Sequence, residues 1–160
     1  MKESAITLKK NELVYDVEYM LHKLSRTGGE SESSIWEIGI SDADHDYLDR
    51  LFTSAMSNVR NELSWCTAYG HHPFVSDGLQ GSPGDYDIVL HIDDGWRGDM
   101  QALCSAIHDY VVHYAVYQQL LASAPLLAPS FAALAESDLN KAYSIARSNL
   151  DFILGRPRKT

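Results

Sequence analysis

Apolar side chains recur at three- and four-residue steps in four stretches of the chain, and each stretch predicts an amphipathic helix. Over residues 7–26, Leu13, Val17, Met20, Leu21 and Leu24 share one face, and Gly28-Gly29 supplies a stop. A second helix is predicted over 41–67, on the stripe Leu48, Leu51, Phe52, Ala55, Val59, Leu63 and Cys66. Ser41 with the carboxylate of Asp44 three residues later gives it a capping-box-like start. A third spans 96–123 on Leu103, Ile107, Val111, Tyr114 and Leu121, with Asp94 as the turn or N-cap residue before it and Pro125 after it. Pro129-Ser130 opens the fourth, with the stripe Phe131, Leu134, Ala135, Leu139, Ala142, Ile145, Ala146, Leu150 and Ile153. Ala135 is small enough for a close helix crossing, and Gly155-Arg156-Pro157 ends the element.

The period changes between the second and third helices. Residues 86–92 (Tyr-Asp-Ile-Val-Leu-His-Ile) are rich in β-branched side chains and bounded by turn signals, so they read as a strand. A strand needs a partner, and the apolar patch Ile35, Trp36, Ile38, Ile40 over residues 35–40, or part of the adjoining loop, is the candidate. Four glycines and two prolines within 68–84 rule out regular structure there and predict a mobile loop. The pattern therefore predicts a mainly α fold: a four-helix, bundle-like domain with a small β element, around 35–40 and 86–92, inserted between helices two and three. One domain over 1–160 is expected, with a flexible tail over 155–160.

Composition sharpens this picture. With 160 residues, 45% hydrophobic and 22% charged, the chain is one globular domain's worth and not a disordered segment. No apolar run approaches the ~20 residues that cross a bilayer, and none of signal-peptide length follows Met1-Lys2. A cytoplasmic protein with no membrane partner is expected. The net charge of −9 argues against a nucleic-acid grip, which needs clustered Lys and Arg. The charge is uneven: the middle of the chain is acidic, while the end, with Arg156, Arg158 and Lys159, is basic. Such a tail suits a head-to-tail contact with the acidic middle of another copy, or it is simply a solvated end.

Candidate chemistry is sparse. Cys66 and Cys104 form no Cys-x-x-Cys motif and read as reduced, packed thiols. His108, Asp109 and His113 lie on the third helix, but a five-residue step turns the two imidazoles about 140° apart. With His45-Asp46 of the second helix, they make an alternative metal site, one of helical-bundle hydrolase type. His71-His72, with Asp77 nearby, could bind a metal or a partner or be exposed loop residues, and His91 with Asp93 and Asp94 stands at a strand end, a place for catalytic carboxylates or for an ordinary acidic turn. There is no Gly-x-Ser-x-Gly elbow, Gly-x-Gly-x-x-Gly turn or Walker loop, and the glycine-rich run 78–84 has no lysine. No cofactor is implied. Tyr110, Tyr114 and Tyr117 form one stripe, suited to helix packing or to a subunit interface. Trp36, Trp65 and Trp96 stand at predicted element boundaries.

Three features together resemble the small helical head–tail connector (adaptor or head-completion) proteins of tailed phages and prophages. The amphipathic helix from Leu48 to Cys66 is followed by an irregular excursion. The third helix then reads Tyr110-Val111-Val112-His113-Tyr114-Ala115-Val116-Tyr117-Gln118-Gln119-Leu120. The closing segment Tyr143-Ser144-Ile145-Ala146-Arg147-Ser148-Asn149-Leu150-Asp151-Phe152-Ile153-Leu154-Gly155 has a Tyr-x-x-Ala-x-x-x-Leu-x-x-Ile-x-Gly pattern. The likeness spans the C-terminal two thirds of the chain; the N-terminal helix and the 68–94 insertion depart from it. It implies a structural, non-enzymatic role: copies meet portal and tail proteins and one another in a ring, and the protein is found in the virion if it is phage-derived. The side chains expected to make such contacts are His71, His72 and Phe74 in the loop, Trp96 at the start of helix three, and Arg156, Arg158 and Lys159 in the tail. A small acidic regulatory or immunity-type binding module is the other non-enzymatic alternative.

Overall fold

The computed structural model describes residues 2–27, 42–66, 84–92 and 94–147. In chain order they form β1 (Lys2–Leu8), α1 (Lys10–Thr27), α2 (Asp42–Glu62), β2 (Tyr86–Ile92), α3 (Met100–Ser123) and α4 (Ala128–Ala146). The fold is mainly α with one two-stranded sheet, and β2 lies between the second and third helices, as the patterning predicts.

The partner of β2 is a correction. It is β1, paired antiparallel in a register that runs from Lys2 opposite Ile92 to Leu8 opposite Tyr86. Thr7 and Leu8, expected in the first helix, belong to this strand. Among the described side chains of β1, Ile6 and Leu8 are the buried ones, and two alternating apolar positions beside a longer helical stripe are too weak a signal to separate. Residues 35–40, the expected partner, lie outside the described residues. So do nearly all of the 68–84 loop, the end of the fourth helix and the 155–160 tail. The sheet has one dry face, built from Ile6, Leu8, Tyr86, Ile88 and Leu90. On its other face Thr7 donates to Asp87 across the strands at 2.6 Å. Asp85 caps α1 from across the sheet, its Oδ1 accepting the Lys10 N–H at 3.2 Å.

Buried side chains from all six elements form one cluster. Leu13, Val17 and Leu21 of α1 are buried in it, and so is the whole predicted stripe of the second helix. The helical part of that stripe ends at Glu62, before the predicted 67. Leu63 and Cys66 are buried from a turn, whose Cys66 carbonyl accepts the His91 N–H at 2.7 Å. Arg60 reaches β2 through Nη2, donating to the Asp87 carbonyl at 2.8 Å.

The start of α3 differs from expectation. Asp94 sits in a turn, and the N-cap is Asp99, whose side chain accepts the Gln101 N–H at 2.9 Å. The reason lies in Trp96. Its indole folds back over Gly98, where a Cβ would stand 2.2 Å from a ring carbon. The indole N–H donates to the Ile145 carbonyl of α4 at 3.3 Å. Residues 96–98 are used by this connection, so the cap falls to the next aspartate.

The α3 helix is the hub. Asp16 of α1 meets His108, and Glu12 acts electrostatically on Cys104 one turn earlier, so α1 and α3 run side by side in the same direction. The α4 helix returns antiparallel, with Asp138 on His113 and Ile145 on Trp96. The buried side chains of α4 are Ala128, Ala135, Ala142 and Ala146, the first three seven residues apart. This small-residue seam sets the contact line, so Leu134, one residue or about 100° from Ala135, faces out. Leu121, also predicted inward, is exposed at the last turn of α3.

Candidate functional site

The four residues of the metal alternative are not brought together. His108 Nε2 is hydrogen-bonded to Asp16 Oδ2 at 2.7 Å on the α1 side of α3. His113 Nδ1 is bonded to Asp138 Oδ2 on the α4 side. His45 and Asp109 are exposed. Among the described residues, no three His, Cys, Asp or Glu side chains are grouped to hold a metal ion. The five-residue step between the imidazoles has the consequence foreseen from the helical wheel: each histidine faces a different neighbouring helix, and each ties α3 to it.

Of the residues expected to touch partners, only Trp96 is described. Its ring is half-buried, and its one donor is spent on α4. His71, His72, Phe74, Arg156, Arg158 and Lys159 lie outside the described residues. Tyr110 of the tyrosine stripe is buried, and its hydroxyl accepts a hydrogen bond from Asn58 of α2 at 3.0 Å. Tyr114 and Tyr117 are half-buried. The stripe therefore packs helices together first.

The reactive groups of the interior are occupied or quenched. Burial pushes the Cys66 thiol up to about 11 and also raises Cys104, with Glu12 adding to the latter. Neither is a thiolate at neutral pH. Arg60 is held below its ordinary value by burial, partly opposed by Asp87. Sequence reasoning missed one polar cluster. Asp49 of α2 is only 6% exposed. Its carboxylate accepts from Lys10 Nζ at 2.8 Å and from the Tyr86 hydroxyl at 2.9 Å. The Tyr86 ring meets Phe52 edge-on at 5.9 Å. Burial first, and then Asp49, raise the Tyr86 phenol far above the ordinary tyrosine value. Every group in this cluster has a partner, and together they clamp α1, α2 and β2.

The surface carries the unexplained feature. Leu126, in the turn between α3 and α4, is 94% exposed and Leu127 next to it 38%, while Leu121 of α3 and Leu134 of α4 are 47% and 45% exposed. From Tyr110 through Ala135 there is no Asp, Glu, Lys or Arg, in a chain that is 22% charged. A Leu-Leu pair between Pro125 and Pro129, inside an uncharged run, was the sequence signal for this end of the hairpin. It was hidden because Leu121 and Leu134 fitted the helical stripes. A second exposed apolar feature lies on α1, where Tyr15 and Tyr19 stack at 6.3 Å and Lys23 lies over the Tyr19 ring. Isolated exposed leucines are ordinary on soluble proteins; Leu126 and Leu127, adjacent in one turn, are an exposed apolar pair.

Among the described residues, no helix is long and apolar enough to cross a membrane. Comparison with family models, with curated proteins and with solved structures finds no match to this chain.

Proposed function

We propose that this chain is a non-enzymatic assembly protein of the phage head–tail adaptor type, acting through contacts with portal and tail proteins and with its own neighbouring copies. The observation that supports this reading is the uncharged α3–α4 hairpin end with Leu126 almost fully exposed. Open apolar side chains on a rigid helical hairpin serve recognition by another protein surface. His108 and His113, each bonded to a carboxylate of a neighbouring helix, work as ties rather than as reactants. The connector-like sequence pattern of helices two to four supplies the kind of partner.

The test is co-expression with the portal protein encoded in the same genome. The expected result is a complex of defined stoichiometry that co-purifies and shows the chain on the portal ring by electron microscopy. A chain that stays separate from portal rings, in a gene neighbourhood without capsid and tail genes, overturns the reading.

A further inference from the structure

We infer that the outer edge of β1 is a strand-acceptor site, and that its occupant is the basic segment 155–159 of a neighbouring copy, added antiparallel to β1. The inference rests on the assembly reading for the presence of neighbouring copies, and it names the head-to-tail contact between them.

The sheet itself shows which way the backbone of β1 points. Antiparallel strands alternate between pairs that exchange hydrogen bonds and pairs whose N–H and C=O groups point outward. His91, opposite Glu3, sends its N–H outward to the Cys66 carbonyl at 2.7 Å. Glu3 therefore belongs to an outward pair, and so do Ala5 and Thr7 at two-residue steps. On the β2 side the outward groups of this set are used, His91 by Cys66 and the Asp87 carbonyl by Arg60. On the β1 side Glu3, Ala5 and Thr7 are exposed, and among the described residues no third strand follows β1. β1 has no proline, and its register runs without a bulge, so it lacks two usual defences of an edge. A strand added there gains main-chain hydrogen bonds.

Charge and the placement of a proline select the occupant. Thr7 meets Asp87, and Glu3 meets His91, on the face of the sheet away from the core, so that face carries two carboxylates. Residues added antiparallel opposite Glu3, Ala5 and Thr7 put their side chains on the same face. The basic run of this chain is Arg156-Pro157-Arg158-Lys159. With the backbone of Arg156 and Arg158 turned to β1, both guanidinium groups lie on the acidic face. Pro157, which has no N–H, then turns its nitrogen to the far side, where none is needed. A parallel strand in the same phase would place both arginines on the dry face of Ile6 and Leu8, so antiparallel is the favoured direction.

That direction makes the donor a neighbour. An antiparallel strand enters β1 from the Leu8 end. The described chain ends at Arg147, one turn past Tyr143, whose ring meets Trp65 beside Cys66, on the Glu3 side of the sheet. A strand of this length spans about 23 Å, and residues 148–155 reach about 28 Å at full stretch. Too little chain is left to run past Leu8 and turn back. Donor and acceptor are unlike surfaces, so the contact joins copies head to tail and closes a ring where the rotation allows.

The experiment is sedimentation equilibrium of the full chain from about 10 µM to 1 mM, where a short strand with few charge pairs associates. Circular dichroism is the folding control. The wild type forms species larger than a dimer as its concentration rises. A5P removes an outward N–H and leaves the β1–β2 hydrogen bonds in place; E3K reverses the edge, and R156E/R158E reverses the segment. Each weakens association by about tenfold or more. Mixing E3K with R156E/R158E restores it, because the reversed segment meets the reversed edge. A wild type that stays monomeric, or that stops at a dimer, overturns the inference. So does association that R156E/R158E leaves unchanged, or a mixture that fails to recover. Should A5P lose its native spectrum, the charge swap decides alone, since Glu3 is exposed. The same samples are added to portal rings. Head-to-tail association without portal binding overturns the adaptor reading alone, and portal binding by a chain that never associates overturns the strand contact alone.

Discussion

Replacing Asp49 by alanine removes the one carboxylate that joins α1, α2 and β2, and the loss can be worked from the structure. The Lys10 ammonium is 2.8 Å away, a separation worth about 6 kcal/mol of gross attraction at an effective dielectric of about 20. Most of that is offset by the cost of drying the two charges, and breaking a buried pair costs about 3–5 kcal/mol net. Lys10 keeps 20% of its side chain exposed, so it can turn toward water, which lowers its share to about 2 kcal/mol. The Tyr86 hydroxyl is buried and loses its acceptor, keeping only the Thr53 hydroxyl as a neighbour. Loss of a buried donor's main acceptor adds about 1–3 kcal/mol. Asp49→Ala is therefore expected to cost about 3–5 kcal/mol, a large part of a domain's usual stability.

Urea unfolding followed by circular dichroism measures it, with the slope m checked for constancy. Asp49→Asn keeps an acceptor for Tyr86 and loses only the charge, so it should fall between wild type and alanine. Lys10→Met keeps the aliphatic stem. In a double-mutant cycle, Lys10→Met with Asp49→Ala should show about 1–2 kcal/mol of coupling. If Asp49→Ala costs less than about 1 kcal/mol, or the two changes simply add, the clamp is not what holds these elements together.

Three further outcomes follow from the packing. Ala142→Leu forces a large side chain into the fully buried α3–α4 seam; it should destabilise by about 1–3 kcal/mol, read by urea midpoint, whereas Leu134→Ala on the open face should be nearly neutral. Gly98→Ala puts a Cβ into the Trp96 ring, so the indole should leave Ile145, with a red-shifted Trp fluorescence maximum that Trp65→Phe and Trp36→Phe backgrounds leave in place. Stability should fall as pH rises. Cys66, Tyr86 and Tyr110 all have folded values raised by burial, so their contribution is complete below their ordinary values. It drains as pH climbs through about 9 and above, where the unfolded chain ionises first. Thermal midpoints from pH 7 to 11 check this, and a flat profile contradicts the buried state of these groups.

The helices were legible because each carries a long apolar stripe, and length is what makes periodicity decisive. Leu13, Val17 and Leu21 on α1 and the seven-residue set from Leu48 to Cys66 are buried as read. β1 was illegible for the opposite reason. Among its described side chains Ile6 and Leu8 are the buried ones, and the strand exists because β2 offers it a register. The N-cap at Asp99 was set by tertiary packing: Trp96 reaching Ile145 decides where α3 can begin. Likewise Leu134 fitted the spacing of a buried stripe, but the alanine seam rotated α4 so that it faces out; Leu121 stands exposed at the last turn of α3. Among the candidate site residues, the angular argument about His108 and His113 held, since it depends on helix geometry alone. The Asp49 cluster could not be read, because Lys10, Asp49 and Tyr86 are brought together by three elements distant in sequence.

The alanine seam of α4 explains how the hairpin end can leave leucines exposed without loosening. Ala128, Ala135 and Ala142 let α4 lie close against α3, so this pair is held by its own interdigitation up to the turn. Because Leu121, Leu126 and Leu127 are not needed for that seam, they can remain open without loosening the hairpin. A flexible loop with the same leucines would lose its ordering entropy on every encounter, and its apolar surface would favour non-specific association. Fixed between two prolines at the end of two packed helices, they present one shape. That combination, a rigid mount that carries exposed leucines on an otherwise acidic chain, presents its apolar side chains at little ordering cost.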